Sequence, residues 1–303
     1  MVSSSKHLII IAGPTASGKT SVAVEVAKGL DCSIVSADSR QFYKELNIGS
    51  AKPSTEEMKG VPHYFVDFET VTNPISAGEF ERICLDKLAS LFQEKDHVVM
   101  VGGSGMFINA VAFGLDPLPH SKEIREKWNT IHQEKGLDYL LEILKVKDVT
   151  YYNQVDRSNP VRIIRALEVI DITNTTYSSQ RKGKSVKRPF NVHYFVLKHE
   201  RETLYKRINE RVIKMMAEGL WNEAVSLEHF RNFQSLNTVG YKEIFHALDN
   251  NLSQAHAIQE IQKNTRRYAK RQLTWFRQVE SAIWIKYKNE EKTVLEILKQ
   301  IKG

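Results

Sequence analysis

Residues His7–Ala12 form an apolar, isoleucine-rich run that stops at Gly13, and the chain then reads Gly13-Pro14-Thr15-Ala16-Ser17-Gly18-Lys19-Thr20. This is the full G-x-x-x-x-G-K-[ST] pattern, and residues 18–30 after it carry helical spacing of apolar side chains. A strand, a glycine-bearing loop and a helix in that order leave few folds open. The loop must sit at the carboxyl end of a buried parallel strand. Its glycines let the backbone curl so that N–H groups point at phosphate oxygens, and the helix N-terminus adds favourable partial charge. Lys19 would neutralise the terminal phosphate, and the Thr20 hydroxyl is placed to ligate Mg²⁺.

The rest of the first third alternates strand and helix. Ser33 to Ser36 and His63 to Phe68 read as strands, Ala77 to Gln93 as a helix, and His97 to Val101 as a strand running into Gly102-Gly103. This alternation predicts an α/β fold, a parallel sheet flanked by helices. Between Pro117-Leu118-Pro119 and Pro189 the strand character disappears. Helical patterns cover Ser121 to Gln133 and Asp138 to Leu144, and Ser158-Asn159 caps a helix with Pro160 at its first position. Residues 119–189 are therefore expected to form a helical insertion domain, with 1–118 plus 190–303 as the catalytic core. Strand pattern returns at Asn191 to Leu197, the chain from Arg201 onward reads as mostly helical, and Thr173 to Arg188 reads as a polar loop or linker.

No apolar run approaches the ~18–20 residues a bilayer span needs. The five-residue apolar run before Gly13 is too short for a secretory signal core. Two cysteines, Cys32 and Cys84, without paired spacing fit a reducing compartment and exclude a cysteine-built zinc module. A cytoplasmic, monomeric enzyme with no membrane partner is the expectation. Lys plus Arg exceed Asp plus Glu by 43 to 36, a net charge of +7, so the clustering of that charge has to decide its meaning.

The loop alone leaves a kinase, an NTPase and a transferase with a diphosphate leaving group open. A kinase or NTPase usually carries an acid at a strand end to help hold Mg²⁺, yet the strand at 97–101 ends in Val101-Gly102-Gly103. Asp67 could serve, or could be structural. Asp38, just after the strand at 33–36, either caps a following helix or acts as a general base beside the loop.

GPTASGKT followed by ADSRQFYKELNIGSAKP (37–53) resembles the tRNA dimethylallyltransferase (tRNA isopentenyltransferase) family. Further matches are VPH (61–63), VGGSGMF (101–107), GLDPLP (114–119), RALEV (165–169), VGYKE (239–243) and AKRQLTWFR (269–277), essentially end to end. The resemblance implies a P-loop NTPase-like fold. It also implies transfer of a dimethylallyl group from its diphosphate to N6 of the adenosine 3′ to the anticodon, with Mg²⁺. By the same resemblance Asp38 is the general base and Gly13 to Thr20 hold the donor's diphosphate, with Thr20 at the magnesium position. Arg211 helps neutralise the leaving group, and Ser104 stands near the reacting centre where many members have threonine. Asp38, Ser39, Arg40, Gln41, Arg125, Val161 to Arg165 and Arg266 to Leu273 match tRNA-contacting segments; Val161 replaces a glutamine found in some members.

The chemistry agrees. An exocyclic amine is a poor nucleophile and benefits from a carboxylate that takes its proton, while diphosphate leaves readily only when its charge is neutralised. Residues 263–277 contain six basic side chains and no acid. At 100° per residue, Lys263, Arg266, Arg267, Lys270, Arg271 and Arg277 fall within an arc of about 140°. Tyr268, Ala269, Trp275, Phe276 and Val279 fall opposite and are assigned to the core. Arg162 and Arg165 share a face of the helix that begins at Pro160, and RKGKSVKR (181–188) adds five positive charges. Such unopposed stripes suit an RNA backbone such as a tRNA anticodon stem-loop. The competing readings are an adenylate isopentenyltransferase acting on free AMP or ADP, a P-loop nucleotide kinase with Arg157, Arg162 and Arg165 in a lid, and an RNA-binding module without turnover.

Overall fold

The computed structural model describes residues 5–181, 183 and 186–302. The chain divides into two compact units, Met1–Phe113 with Lys187–Gly303, and Gly114–Val186. The second unit lies a few residues N-terminal to the 119–189 expected from sequence. Lys182, Lys184 and Ser185 of the basic 181–188 segment lie outside the described residues.

The first unit opens with β1 (His7–Ala12), α1 (Lys19–Gly29), β2 (Ile34–Ser36), α2 (Thr55–Met58), β3 (His63–Tyr64), α3 (Ala77–Glu94), β4 (His97–Gly102) and α4 (Gly105–Phe113). The second holds α5 (Lys122–Lys147), α6 (Val149–Gln154), α7 (Pro160–Thr173) and α8 (Tyr177–Gln180). The chain then returns to the first unit with β5 (Asn191–Lys198), α9 (Arg201–Ala217), α10 (Leu220–Ser226), α11 (Tyr241–Asp249), α12 (Gln254–Phe276), β6 (Ala282–Lys286) and α13 (Glu290–Lys302).

The six strands form one parallel sheet in the order β3-β2-β4-β1-β5-β6. Residues of β1 alternate between two apolar layers because successive side chains of a strand point to opposite faces. Leu8 and Ile10 pack with Phe80, Leu88 and Ile108 on one face. Ile9 and Ile11 pack with Val22, Val26 and Ile297 on the other. Each such fully buried isoleucine contributes about 1.5–3 kcal/mol relative to exposure. β1 is therefore clamped by β4 and β5, and the loop that follows it emerges at the sheet's centre.

Three local expectations change and a fourth is met. The strand at 63–68 stops after Tyr64, because Phe65 (φ 63°) and Asp67 (φ 55°) turn into the left-handed region. The two helices expected at 121–133 and 138–144 both form: α5 is two helices that meet at Gly136, whose φ 77° and ψ 177° are not helical. A short helix, α8, forms inside the 173–188 segment because Tyr177 docks edge-on to Tyr151 at 4.6 Å. Finally, β6 adds a sixth strand to a stretch that reads as helical; it is short and half exposed, so it lacks a clear alternation.

In the second unit, Ser121 and Asn159 cap α5 and α7 with their side-chain oxygens. The buried faces of these helices meet around Trp128, Leu140, Leu144, Ile163 and Leu167. Where the chain re-enters the first unit, Arg188 donates to the carbonyls of Val111 (2.9 Å) and Ala110 (2.6 Å) and pairs with Glu81. It is thus a structural residue and not part of a free basic loop.

Candidate active site

The loop Gly13–Thr20 joins β1 to α1, with Gly18 (φ 80°) as the cap of the helix. Gly13 is needed for packing: a Cβ there would lie 2.9 Å from Ser17 Oγ. Ala16 adopts φ 61°, a conformation L residues rarely take.

Two cavities meet at this loop. The first, about 260 Å³, is lined by Lys19, Thr20, Asp38, Arg211, Tyr268 and Arg271 among others. The second, about 1140 Å³, is lined by Ala16–Thr20, Arg207 and Lys214, and it shares Lys19, Thr20 and Arg211 with the first. Burial pushes the Lys19 ammonium down to about 8; Asp38 pulls it back up and Arg211 adds to the lowering. Burial likewise lowers the Arg211 guanidinium from its ordinary value, with Asp38 opposing. Two confined cations and one carboxylate therefore face the space beside the phosphate loop.

Asp38 follows β2. Its carboxylate accepts from the Arg40 amide at 3.2 Å, so it caps a turn and still faces the first cavity. Ser104 accepts from the Ser39 amide at 3.1 Å, and the two hydroxyls are 3.1 Å apart. These bonds join the chain after β2 to the chain after β4. Arg40 lines the cavity with its guanidinium held by the Ser235 carbonyl at 2.9 Å. Gln41 is buried, donating to the Ala51 carbonyl at 3.0 Å and accepting from Ser36, so its side chain fixes the 50–51 turn. Asp67 is committed to an ion pair with Lys52. The end of β4 carries no acid because Gly102 packs on backbone: a Cβ there would lie 2.4 Å from the Ala37 carbonyl.

On α12, Arg267, Lys270 and Arg271 are exposed, whereas Arg266 donates to Asn209 at 2.7 Å and Lys263 pairs with Glu260. Ala269, Phe276 and Val279 are buried as expected. Tyr268 is not a core residue. It lines the first cavity, and burial together with the Asp38 charge pushes its phenol up to about 12. Sequence reasoning also missed Gln272, which sits within a segment matched to tRNA contacts. Its side chain instead accepts from the Thr15 amide at 2.9 Å and donates to the Gly103 carbonyl at 2.8 Å. In the second unit, Arg125 and Arg165 both pair with the buried Glu168, and Arg162 is exposed.

The IPP transferase family model matches residues 41–279. The chain belongs to this family. Among curated IPP transferase relatives, "tRNA dimethylallyltransferase" of Flavobacterium psychrophilum is 40% identical, covering 96% of this chain and 97% of that protein. "tRNA dimethylallyltransferase 1" of Bacteroides thetaiotaomicron is 42% identical, covering 96% and 95%. The crystal structure of the tRNA isopentenylpyrophosphate transferase from Bacillus halodurans superposes with a TM-score of 0.73 at 34% identity, covering 98% of this chain and 96% of that one. The P-loop-type parallel sheet is therefore the fold of an IPP transferase. In this member no helix among the described residues is long and apolar enough to cross a membrane.

Proposed function

We propose that this IPP transferase moves a dimethylallyl group from dimethylallyl diphosphate to N6 of the adenosine adjacent, on the 3′ side, to a tRNA anticodon. The observation that carries this reading is the placement of Asp38 in one cavity with Lys19, Thr20 and Arg211. That cavity combines an acceptor for a proton with cations for a leaving diphosphate.

The donor's diphosphate lies on the loop amides, beside Lys19 and Arg211, with the second cavity as its approach. The adenine enters the first cavity, between Asp38, Tyr268 and Arg271. A base extruded from a single-stranded loop reaches such a pocket at low cost. The N6 lone pair then forms the new C–N bond as the C–O bond to diphosphate breaks. Asp38 takes the N6 proton, and the charge released on the diphosphate stays with Lys19 and Arg211. Ser104 is tied to the amide and hydroxyl of Ser39, so it holds the segment carrying Asp38 against the end of β4.

Among the described residues no group of three or more His, Cys, Asp or Glu side chains is arranged to hold a metal. The oxygen donors present fit Mg²⁺ all the same, because Mg²⁺ is commonly held by one or two protein oxygens and substrate phosphates. The Thr20 hydroxyl lines the cavity and would hold the ion together with the donor's phosphate oxygens. When bound, Mg²⁺ supplies charge neutralisation of the diphosphate. The exposed Arg267, Lys270 and Arg271, with Arg162 on the second unit, supply basic surface for tRNA phosphates. Arg125 and Arg165 would act there as partners shared with Glu168.

Incubation with dimethylallyl diphosphate, Mg²⁺ and either an anticodon stem-loop or AMP tests the reading. A prenylated stem-loop, detected by mass, is the expected product. Transfer to AMP alone would overturn the tRNA assignment.

A further inference from the structure

Ala16 holds its left-handed backbone conformation inside the loop, where glycine would be the unstrained choice. Conformations of this kind persist only where surrounding groups over-determine them. Three side chains from three different elements meet the loop's backbone around that residue. Gln272 of α12 accepts from the Thr15 amide at 2.9 Å, before it. Arg207 of α9 donates from Nε to the Ala16 carbonyl at 2.8 Å. His199, just after β5, bonds through Nε2 to the Ser17 carbonyl at 2.7 Å, with its ring stacked on Tyr287 at 4.7 Å. A carbonyl accepts, so the His199 ring carries its proton on Nε2. Burial holds its pKa below the ordinary value and favours that neutral form.

We infer that Gln272, Arg207 and His199 are positioning residues that hold the strained Ala16 turn in its diphosphate-binding shape. Gln272 is buried, with its side-chain oxygen on the Thr15 amide and its nitrogen on the Gly103 carbonyl at 2.8 Å, so both ends of the amide are anchored to backbone. Its effect on a bound phosphate passes through the loop. With the tether intact, the carbonyls of Ala16 and Ser17 are turned toward Arg207 and His199 and away from an anion. With it cut, the loop can relax from the left-handed turn and lose its aligned amides. The inference rests on the reading of this loop as the diphosphate site.

Titration of inorganic pyrophosphate with Mg²⁺ into the full chain tests it, alongside binding of an anticodon stem-loop. Gln272→Ala is expected to weaken pyrophosphate binding about tenfold, the scale of a lost buried hydrogen bond. His199→Phe, which keeps the stack on Tyr287 but removes the donor, weakens it in the same direction. Stem-loop affinity stays within about twofold of the starting protein in both, which a general loss of structure would not allow. The decisive arm is rescue. Ala16→Gly removes the strain, so in the Gln272→Ala background it restores about threefold or more of the lost affinity. Unchanged pyrophosphate binding in Gln272→Ala, or no recovery on adding Ala16→Gly, overturns the inference. If Gln272→Ala fails to fold, Gly103→Ala carries the same test, since its Cβ would lie 2.4 Å from Gln272 Nε2 and must displace that amide. A starting protein that binds no pyrophosphate overturns the loop's assignment itself, and this inference with it.

Discussion

Arg211 bears directly on Lys19. Added to burial, the guanidinium's charge helps to hold the lysine at about 8 against the pull of Asp38. Neighbouring cations repel each other until an anion arrives between them, and a diphosphate then reverses the sign of the field at both.

A proton should therefore be taken up when pyrophosphate binds. Above about pH 8 the free protein holds Lys19 mostly neutral, while the complex keeps it charged. Affinity is expected to fall as pH rises beyond that value. Calorimetry at about pH 8.5 in two buffers of different ionisation heat reads the uptake, and equal heats in the two would contradict it. The same shift has a folding consequence of opposite sense. The unfolded chain binds the Lys19 proton more tightly, so the cost of burying the cation is full below about 8 and fades as pH rises toward the ordinary lysine value of 10.5.

Asp38→Asn should separate chemistry from binding. Removing a general base lowers rates by about 10²–10⁴-fold, whereas the loop amides and Arg211 are left in place to hold pyrophosphate. Single-turnover transfer to a stem-loop is the measurement, and undiminished transfer would remove Asp38 from its assigned role.

Local chemistry made the loop, the strand before it and Asp38 readable from sequence, because each follows within a few residues of a strand end. Arg211 had no such signal. It lies in the middle of α9 among other charged residues, and only the family resemblance singled it out. Tyr268 shows a different limit. Its angle on the helical wheel correctly put it inward with Ala269 and Phe276, but inward at that level of α12 means a cavity and not a core. Gln272 is a polar residue on that same inward side. Its value depends on where Thr15 and Gly103 are in space, more than 150 residues away in sequence. Arg165 read as part of a free basic face because its partner, Glu168, sits among the apolar residues of the same helix.

Glu168 is the residue on which the second unit should be most sensitive. It is fully buried and receives Arg125, Arg165, His120 and the Ser121 amide. Burial alone would raise its pKa; Arg125, the Ser121 amide and Arg165 outweigh that and hold it below the ordinary carboxylate value. Its stabilising contribution is therefore present above the unfolded value near 4.5 and is lost as pH falls through the lower folded value. Glu168→Ala removes the shared acceptor of two partly exposed arginines and of the Ser121 amide, and should cost about 1–3 kcal/mol. Limited proteolysis within 114–186 would report it as faster cleavage.

Binding of tRNA should weaken steeply with salt, since Arg267, Lys270 and Arg271 stand exposed on one helix. Arg267→Ala is expected to weaken binding for all stem-loop sequences alike and to reduce the slope of log affinity against log salt by about one. Arg266→Ala, which removes a side chain already bonded to Asn209, should change that slope less. Fluorescence anisotropy across a salt series distinguishes the two.

The clasp of Arg188 on Ala110, Val111 and Glu81 closes the point at which residues 114–186 leave and rejoin the sheet-bearing unit. Every strand among the described residues, the phosphate loop, Asp38 and Arg211 belong to that sheet-bearing unit, part before the clasp in the chain and part after it. The helical segment is thereby spliced into the sheet-bearing unit at a single place, and one arginine fastens the chain leaving it to the chain returning.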